Sequence, residues 1–187
     1  MDRMQFVEQS PYTVAVPNLA FGSRTDQNFH DHGGALSFHS DFGEVYQILS
    51  DEMTPEVAAK VYDPALTPDA IRSYLENYIV PEVLRKAAPR TSLVHSESVI
   101  IGDKPACFGL VNMPEGSVLE DARTHKRLDD RRGLLIVARG KFIYMIGVGG
   151  TTNLLGPETA PPPIEQMVAG FRKRVESFYD TVRFTPP

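Results

Sequence analysis

Two apolar segments in the second half of the chain constrain its fold more than any other feature. Residues 134–138 and 142–148 are apolar at successive rather than alternate positions, and Arg139-Gly140-Lys141 joins them as a tight hairpin connection. A strand of this composition is usually covered on both faces, because at an exposed edge it would invite aggregation. The two segments therefore predict central strands of a sheet that carries a further layer on each side.

Other segments supply neighbours for these strands. They are rich in strand-forming residues and bounded by turn residues, a pattern typical of strands and hairpins. They comprise residues 12–17, 35–39, 44–49, 93–101, 106–112 and 182–184. Residues 18–34 are polar and show no periodicity, so no strand is predicted there.

Helix signals occur in the middle and at the end of the chain. Thr54-Pro55-Glu56 and Thr67-Pro68-Asp69 each combine a threonine cap, proline at the first helical position and an acid. Pro81 is expected to kink or break the second of these helices. A C-terminal amphipathic helix is predicted from an apolar stripe formed by Ile164, Met167, Val168, Phe171, Val175 and Phe178.

This order of elements predicts an α+β fold, a three-layer α-β-α sandwich with a central, mainly antiparallel sheet. The 187 residues suffice for one domain, so we expect a single domain over residues 1–187 with a frayed N-terminus over residues 1–11. Apolar residues make up 42% and charged residues 23% of the chain, which excludes a disordered or collagen-like chain.

Charge and hydropathy exclude two classes of partner. The formal net charge of -5 argues against a nucleic-acid partner, which calls for clustered positive charge. No apolar window approaches the ~18 residues of a membrane span, so no transmembrane segment is predicted. The N-terminus as written carries no targeting signal. If Met1 is the native start we expect a cytoplasmic protein, and if an export signal was removed, an extracytoplasmic one.

Three histidines, His30, His32 and His39, form the main candidate for metal binding. In an extended segment His30 and His32 would point to the same face, and imidazoles with a carboxylate can hold zinc or another divalent metal. The acidic ligand that a cupin-type His-x-His site would carry is absent from residues 33–36. The sequence favours the alternative, a polar surface loop, and no cofactor is expected.

Other motifs for catalysis are incomplete. The segment Gly147-Val148-Gly149-Gly150-Thr151-Thr152 lacks the third glycine and the following helix of a dinucleotide site, so it is interpreted as a flexible turn leaving a central strand. Neither a Walker motif nor a Gly-x-Ser-x-Gly elbow occurs. Cys107, with His95 on the partner strand, is interpreted as a core residue. Tyr74 and Tyr78 are in step with the apolar stripe of their helix, so they are expected to face the core.

A charged run at residues 120–132 contains five basic and four acidic side chains. Its near-neutral balance is typical of a solvated loop. The alternative is a loop that docks a protein partner, since loops on rigid scaffolds often carry binding. The predicted contact surface combines two loops, residues 113–132 and 149–163.

The whole pattern resembles the PsbP-like superfamily over residues 12–184. The likeness is carried by Leu36-Ser37-Phe38, the Gly102-Asp103-Lys104-Pro105-Ala106 turn, the apolar hairpin across Arg139-Gly140-Lys141, and Glu176-Ser177-Phe178-Tyr179 followed by Val182-Arg183-Phe184. It implies an α-β-α sandwich with a central antiparallel sheet. The family includes the extrinsic PsbP subunit of photosystem II, a nuclear-import factor that binds the Ran GTPase, and bacterial proteins of unknown role. Its members act mostly by binding and share no universal catalytic motif.

Two functional hypotheses follow. The first is a non-catalytic binding or accessory module of PsbP-like type, with contacts through loops 113–132 and 149–163. The alternative is a metal-binding protein or metal-dependent enzyme that uses His30, His32 and His39. Enzymatic activity stays open, and the lack of a complete catalytic set favours the first hypothesis.

Overall fold

One antiparallel sheet of seven strands forms the centre of the structure, a computed structural model that describes residues 4–5, 11–19, 22–154 and 161–184. Its strands are β3 Ser23–His30, β4 Gly33–Ser40, β5 Val45–Glu52, β6 Ser92–Ile101, β7 Lys104–Met113, β8 Asp130–Arg139 and β9 Phe142–Thr151. Their order across the sheet is β3-β4-β5-β9-β8-β7-β6. The predicted central position of the two apolar strands, β8 and β9, is thereby confirmed.

Helices cover one face of this sheet. They are α1 Pro55–Tyr62, α2 Thr67–Tyr74, the π-helix Leu75–Leu84 and the short α3 Arg85–Ala87. The opposite face carries α4 Ile164–Tyr179 and a small sheet of β1 Met4–Gln5, β2 Tyr12–Ala15 and β10 Val182–Phe184. No helix within the described ranges is long and apolar enough to cross a membrane.

The two faces of the sheet bury two separate cores. Along β8, Leu134 and Ile136 pack under α1, α2 and the π-helix, whereas Leu135 and Val137 pack under α4 and the small sheet. This division follows from the alternation of side chains along a strand. It explains the unbroken apolar run and confirms the three-layer α-β-α sandwich.

The two threonine–proline signals fold differently. Thr54 caps α1 as predicted, and its hydroxyl accepts a hydrogen bond from the backbone N–H of Val57 at 3.4 Å. Thr67 does not cap α2. It is already the first helical residue, and its hydroxyl donates to the Val61 and Asp63 carbonyls, each at 2.7 Å, which ties α2 to the end of α1.

The chain passes through Pro81 without ending the helix. A proline removes the usual hydrogen bond and its ring collides with the carbonyl four residues earlier. Here the helix widens into the π form over Leu75–Leu84, and Val80 O accepts from the backbone N–H of Arg85, five residues on. The expected kink or break is therefore replaced by a wider turn.

The sequence predicted no strand between residues 18 and 34, and this prediction is wrong. β3 pairs with β4 along its whole length, from Ser23 opposite Ser40 to His30 opposite Gly33. Met4–Gln5, inside the segment 1–11 that was expected to be frayed, pairs with β2; residues 1–3 and 6–10 lie outside the described residues. In the predicted loop 149–163, residues 149–151 belong to β9 and residues 155–160 lie outside the described residues.

Candidate functional site

The loop between β7 and β8, residues 114–129 and here called the charged loop, is held by its own backbone hydrogen bonds. Ser117 N donates to Leu128 O at 3.0 Å, and Leu128 N donates to Leu119 O at 2.9 Å. Glu120 and Arg127 then form an isolated antiparallel bridge. The segment is therefore an ordered excursion from the sheet, which gives its side chains fixed positions.

A carboxylate closes the tip of the charged loop. Asp121 Oδ1 accepts hydrogen bonds from Arg123 N at 3.0 Å, from Thr124 N at 2.7 Å and from the Thr124 hydroxyl at 2.9 Å. These donors lower the pKa of Asp121 below its usual range. His125 takes the left-handed backbone conformation, with φ of 55°, that completes the turn.

Most acids of the charged loop are used internally. Asp129 Oδ1 accepts from the backbone N–H of Glu115 at 2.9 Å, and the Glu115 side chain lies 2.8 Å from Arg90. By contrast Arg123, Lys126 and Arg127 are exposed, and none of them forms an ion pair within the described part of the chain. Glu120 and Asp121 keep their negative charges, so residues 120–127 carry three positive and two negative side chains, a net charge of +1. The tip is thus weakly positive on a chain of net charge -5.

A buried ion pair anchors the base of the charged loop to the sheet. Asp130 Oδ2 lies 2.6 Å from Arg132 Nε, and Arg132 reaches Gln47 Oε1 on β5 at 3.3 Å. Burial raises the pKa of the Asp130 carboxyl, and the Arg132 guanidinium opposes that change. A second tie joins the Ser117 and Thr151 hydroxyls at 2.6 Å. The excursion therefore starts from the rigid centre of the sheet.

The glycine-rich segment that resembled a phosphate-binding loop instead leaves room for the buried Asp130–Arg132 ion pair. Gly147, Gly149 and Gly150 lie within β9, paired with β5 or β8, and do not form a turn leaving a strand. A Cβ at Gly149 would collide with the Arg132 side chain. The missing side chain lets Arg132 cross β9 towards Gln47, so the interpretation as a flexible turn is corrected.

The three candidate metal ligands lie at two ends of the β3–β4 hairpin. His30 pairs with Gly33 next to the turn, whereas His39 pairs with Arg24 near the other end, about 20 Å away at the usual rise of a strand. His32 lies in the turn, with Nδ1 2.7 Å from Glu52 Oε2. Glu52 also contacts Lys141 at 3.1 Å, and both neighbours lower its pKa, His32 the more.

No group of three or more His, Cys, Asp or Glu side chains in the described residues is placed to hold a metal ion. His39 Nε2 lies 3.5 Å from Asp26 Oδ2, and its Nδ1 is buried without a hydrogen-bond partner among the described residues. A metal site shared by His30, His32 and His39 stays a prediction. Elemental analysis of the purified protein, with His32→Ala as the comparison, tests it.

Cys107 and His95 do not form a catalytic pair. Cys107 pairs with Ser98 and is fully buried in the core under the helices, as predicted, whereas His95 pairs with Leu110. The His95 ring lies against Phe108, which points into the opposite core. Burial raises the pKa of the Cys107 thiol to about 11, so the nucleophilic thiolate is disfavoured at neutral pH.

The prediction that Tyr74 and Tyr78 face the core is confirmed for Tyr74, which is half-buried and packs against the core under the helices, and is wrong for Tyr78, which lies at the surface. Leu75 and Ile79, one position later, take the buried places with 0% and 4% exposure, and Tyr78 is 40% exposed. The two rings lie 5.0 Å apart at the rim of a cleft, and the Tyr74 hydroxyl donates to Asp51 Oδ2 at 3.2 Å. Sequence periodicity missed this because it assumed an uninterrupted α-helix.

Comparison with known proteins finds similarity in the fold but not in the sequence. No protein-family profile matches the chain, and no curated protein is similar to it in sequence. Among solved structures, the chain is similar to cyanobacterial PsbP (CyanoP) from Synechocystis sp. PCC 6803, with a TM-score of 0.53, 9% identity and coverage of 97% of this chain and 91% of that one.

Two weaker likenesses are to bacterial proteins. A Bacteroides thetaiotaomicron VPI-5482 protein gives a TM-score of 0.45 at 12% identity, over 94% of this chain and 46% of that one. Protein PA94 of unknown function from Pseudomonas aeruginosa gives 0.39 at 11% identity, over 94% of each chain. The order of layers, the antiparallel sheet and the likeness to the Synechocystis protein agree: this chain has a PsbP-like fold.

Proposed function

We propose that this protein is a non-catalytic binding or accessory module that holds a protein partner through the charged loop. The partner surface that fits is acidic. The observation that carries this proposal is the exposure of Arg123, Lys126 and Arg127 at a loop tip of net charge +1, on a chain of net charge -5, while the Asp121 carboxylate accepts hydrogen bonds from the loop backbone.

The hydrogen-bonded backbone of the charged loop supports a role in binding. A loop held by backbone pairs and a buried Asp130–Arg132 anchor loses little conformational entropy when it docks. Because the remaining surface of the chain is acidic, Arg123, Lys126 and Arg127 would orient an approaching acidic partner towards the loop. Such electrostatic complementarity acts mainly on the association rate and on specificity.

The second predicted contact loop adjoins the first. Asn153 Oδ1 accepts from Asp129 N at 2.9 Å, and Asn153 Nδ2 contacts Asp129 Oδ2 at 3.4 Å. Residues 152–154 therefore extend the same surface, and the rest of loop 149–163 is included in the proposal only up to the described residues. The PsbP-like fold supports a binding role, since the family it resembles acts mostly by binding.

Affinity purification from native extract tests the proposal when the loop is varied against a charge-matched control. The test protein carries Arg123→Glu, Lys126→Glu and Arg127→Glu. The control carries Lys60→Glu, Lys104→Glu and Lys173→Glu, which change the net charge equally at exposed positions outside the loop.

The proposal expects a stoichiometric partner with the wild-type chain and the control, and its loss with the loop variant. Binding should also weaken as salt is raised from 50 to 300 mM, values that span about a twofold change in screening length. Equal recovery with both variants would reject the loop as the contact. Recovery of no stoichiometric partner, together with turnover in a broad substrate screen, would reject the binding module itself.

A further inference from the structure

A cleft separate from the charged loop opens between the edge hairpin and the π-helix. Its volume is about 260 Å³, and it is lined by β3, β4 and β5 on one side and by α2 and the π-helix on the other. Ala35, Leu49, Ile79 and Val83 provide apolar surface within it. Ligand sites generally combine such apolar surface with a few convergent polar groups.

The polar side chains that line the cleft belong to Asn28, His30, Ser50, Asp51, Tyr74 and Tyr78. Asp51 on β5 accepts a hydrogen bond from the Tyr74 hydroxyl at 3.2 Å, and the Tyr74 and Tyr78 rings lie 5.0 Å apart, tilted by 31°. Burial, followed by the Asp51 charge, raises the pKa of both tyrosines, so both phenols stay neutral at physiological pH.

Asp51 differs from its sequence neighbour in one respect. Glu52 is neutralised by Lys141 at 3.1 Å and by His32 at 2.7 Å. Asp51, in contrast, has no ion pair with any of the described residues, so its negative charge is not neutralised, and it shares the cleft with both tyrosine rings. A carboxylate next to aromatic rings is the surrounding that an organic cation prefers.

We propose that this cleft binds a small organic cation, an ammonium group carried on a short apolar body. The ammonium would lie between Asp51 and the face of Tyr78, the more exposed ring, and the apolar body would contact Leu49 and Ile79. The volume, just below the ~300 Å³ at which drug-sized sites begin, suits a ligand of this size.

A comparison of choline with its uncharged isostere 3,3-dimethylbutan-1-ol distinguishes the contribution of the positive charge to binding from that of the molecular shape. Each is titrated into the full-length protein while backbone amide chemical shifts are followed by NMR. We expect saturable choline shifts at Ala35, Leu49 and Ile79, and binding of the alcohol at least about tenfold weaker, since charge supplies the main attraction. Equal affinity for both probes, shifts elsewhere, or no shifts would overturn the proposal.

Three variants locate the effect. Asp51→Asn and Tyr78→Leu should each weaken choline binding by about fivefold or more, whereas Tyr78→Phe, which keeps the aromatic face, should stay within about twofold. Tyr62→Leu is the control, because Tyr62 is another exposed tyrosine of the helical layer, 55% exposed against 40% for Tyr78, and its hydroxyl contacts Gly140 O outside the cleft. Thermal unfolding of each variant confirms that it is folded. Unchanged affinity in folded Asp51→Asn would also overturn the proposal.

Discussion

β8 and β3 lie in the same sheet, but they are held there in different ways. β8 is flanked by β7 and β9, and its side chains from Arg132 to Val137 are buried in two cores. Among the described residues, β3 is an edge strand that pairs with β4 alone, and its side chains from Arg24 to Asn28 are exposed. Side-chain burial therefore defines β8, whereas backbone hydrogen bonds to β4 define β3. Polar edge strands of this kind resist further pairing with other chains.

Cavity formation should produce the largest difference in unfolding free energy between substitutions in the two strands. Ile136→Ala in β8 removes a fully buried side chain and should lower the free energy of unfolding by about 2–5 kcal/mol. Thr25→Ala in β3 is the matched edge substitution and should change it by no more than about 0.5 kcal/mol. Chemical denaturation of both variants measures the difference. A loss below about 1 kcal/mol for Ile136→Ala would show that β8 is not enclosed as described.

Close approach of α4 to β8 gives the next effect. A Cβ added at Gly133 would lie 2.8 Å from Phe171 Cβ, so Gly133→Ala must displace α4 and should cost about 1–3 kcal/mol of unfolding free energy. Gly170→Ala on α4 is the control, since its Cβ would meet nothing within 4 Å and alanine favours the helix by about 0.5–1 kcal/mol. The two glycines should therefore shift the melting temperature in opposite directions. A stabilising Gly133→Ala would place α4 further from the sheet.

The same contrast explains what the sequence could reveal about the fold. The apolar runs of β8 and β9 predicted their central position because burial on both faces leaves a compositional trace. β3 leaves none, because its pairing uses backbone groups that every residue carries. The sequence identified Pro81 as a residue that disturbs the helix, but it did not show whether the helix would end there or widen into the π form. Burial of Leu84 beyond the proline keeps the chain helical, and that is a tertiary effect.

For the candidate site, composition located the charged segment but did not show how its side chains are arranged. Five bases and four acids in residues 120–132 suggested a neutral, solvated loop. Which side chains are held against the loop depends on hydrogen bonds such as those of Asp121 to Arg123 N and Thr124 N, which form only once the turn is closed. The cleft beside Tyr78 was hidden for a similar reason, because the wider π turn changes which residues of the helix face the sheet.

The smallest expected effect lies between the two strands, at His39 on β4. Burial lowers the pKa of His39, and the charges of Arg24 and Arg132 lower it further, while those of Asp26 and Asp130 oppose them. The folded protein therefore binds this proton less tightly than the unfolded chain, whose histidine pKa is about 6.5. Between the depressed pKa and about 6.5 the unfolded state holds more protons, so the free energy of unfolding rises with pH across that window. The stabilisation is complete above the window and is lost as the pH falls through it.

His39→Gln should remove the His39 contribution to this slope, and Asp26→Asn, which removes an opposing carboxylate, should lower the His39 pKa further and extend that contribution to lower pH. Denaturation at a series of pH values from 4 to 8, a range chosen to bracket the usual histidine pKa of about 6.5, measures the slope, and NMR titration of the ring gives the pKa directly. A His39 pKa above 6.5 would mean that the ring is charged in the fold and that Asp26 outweighs burial.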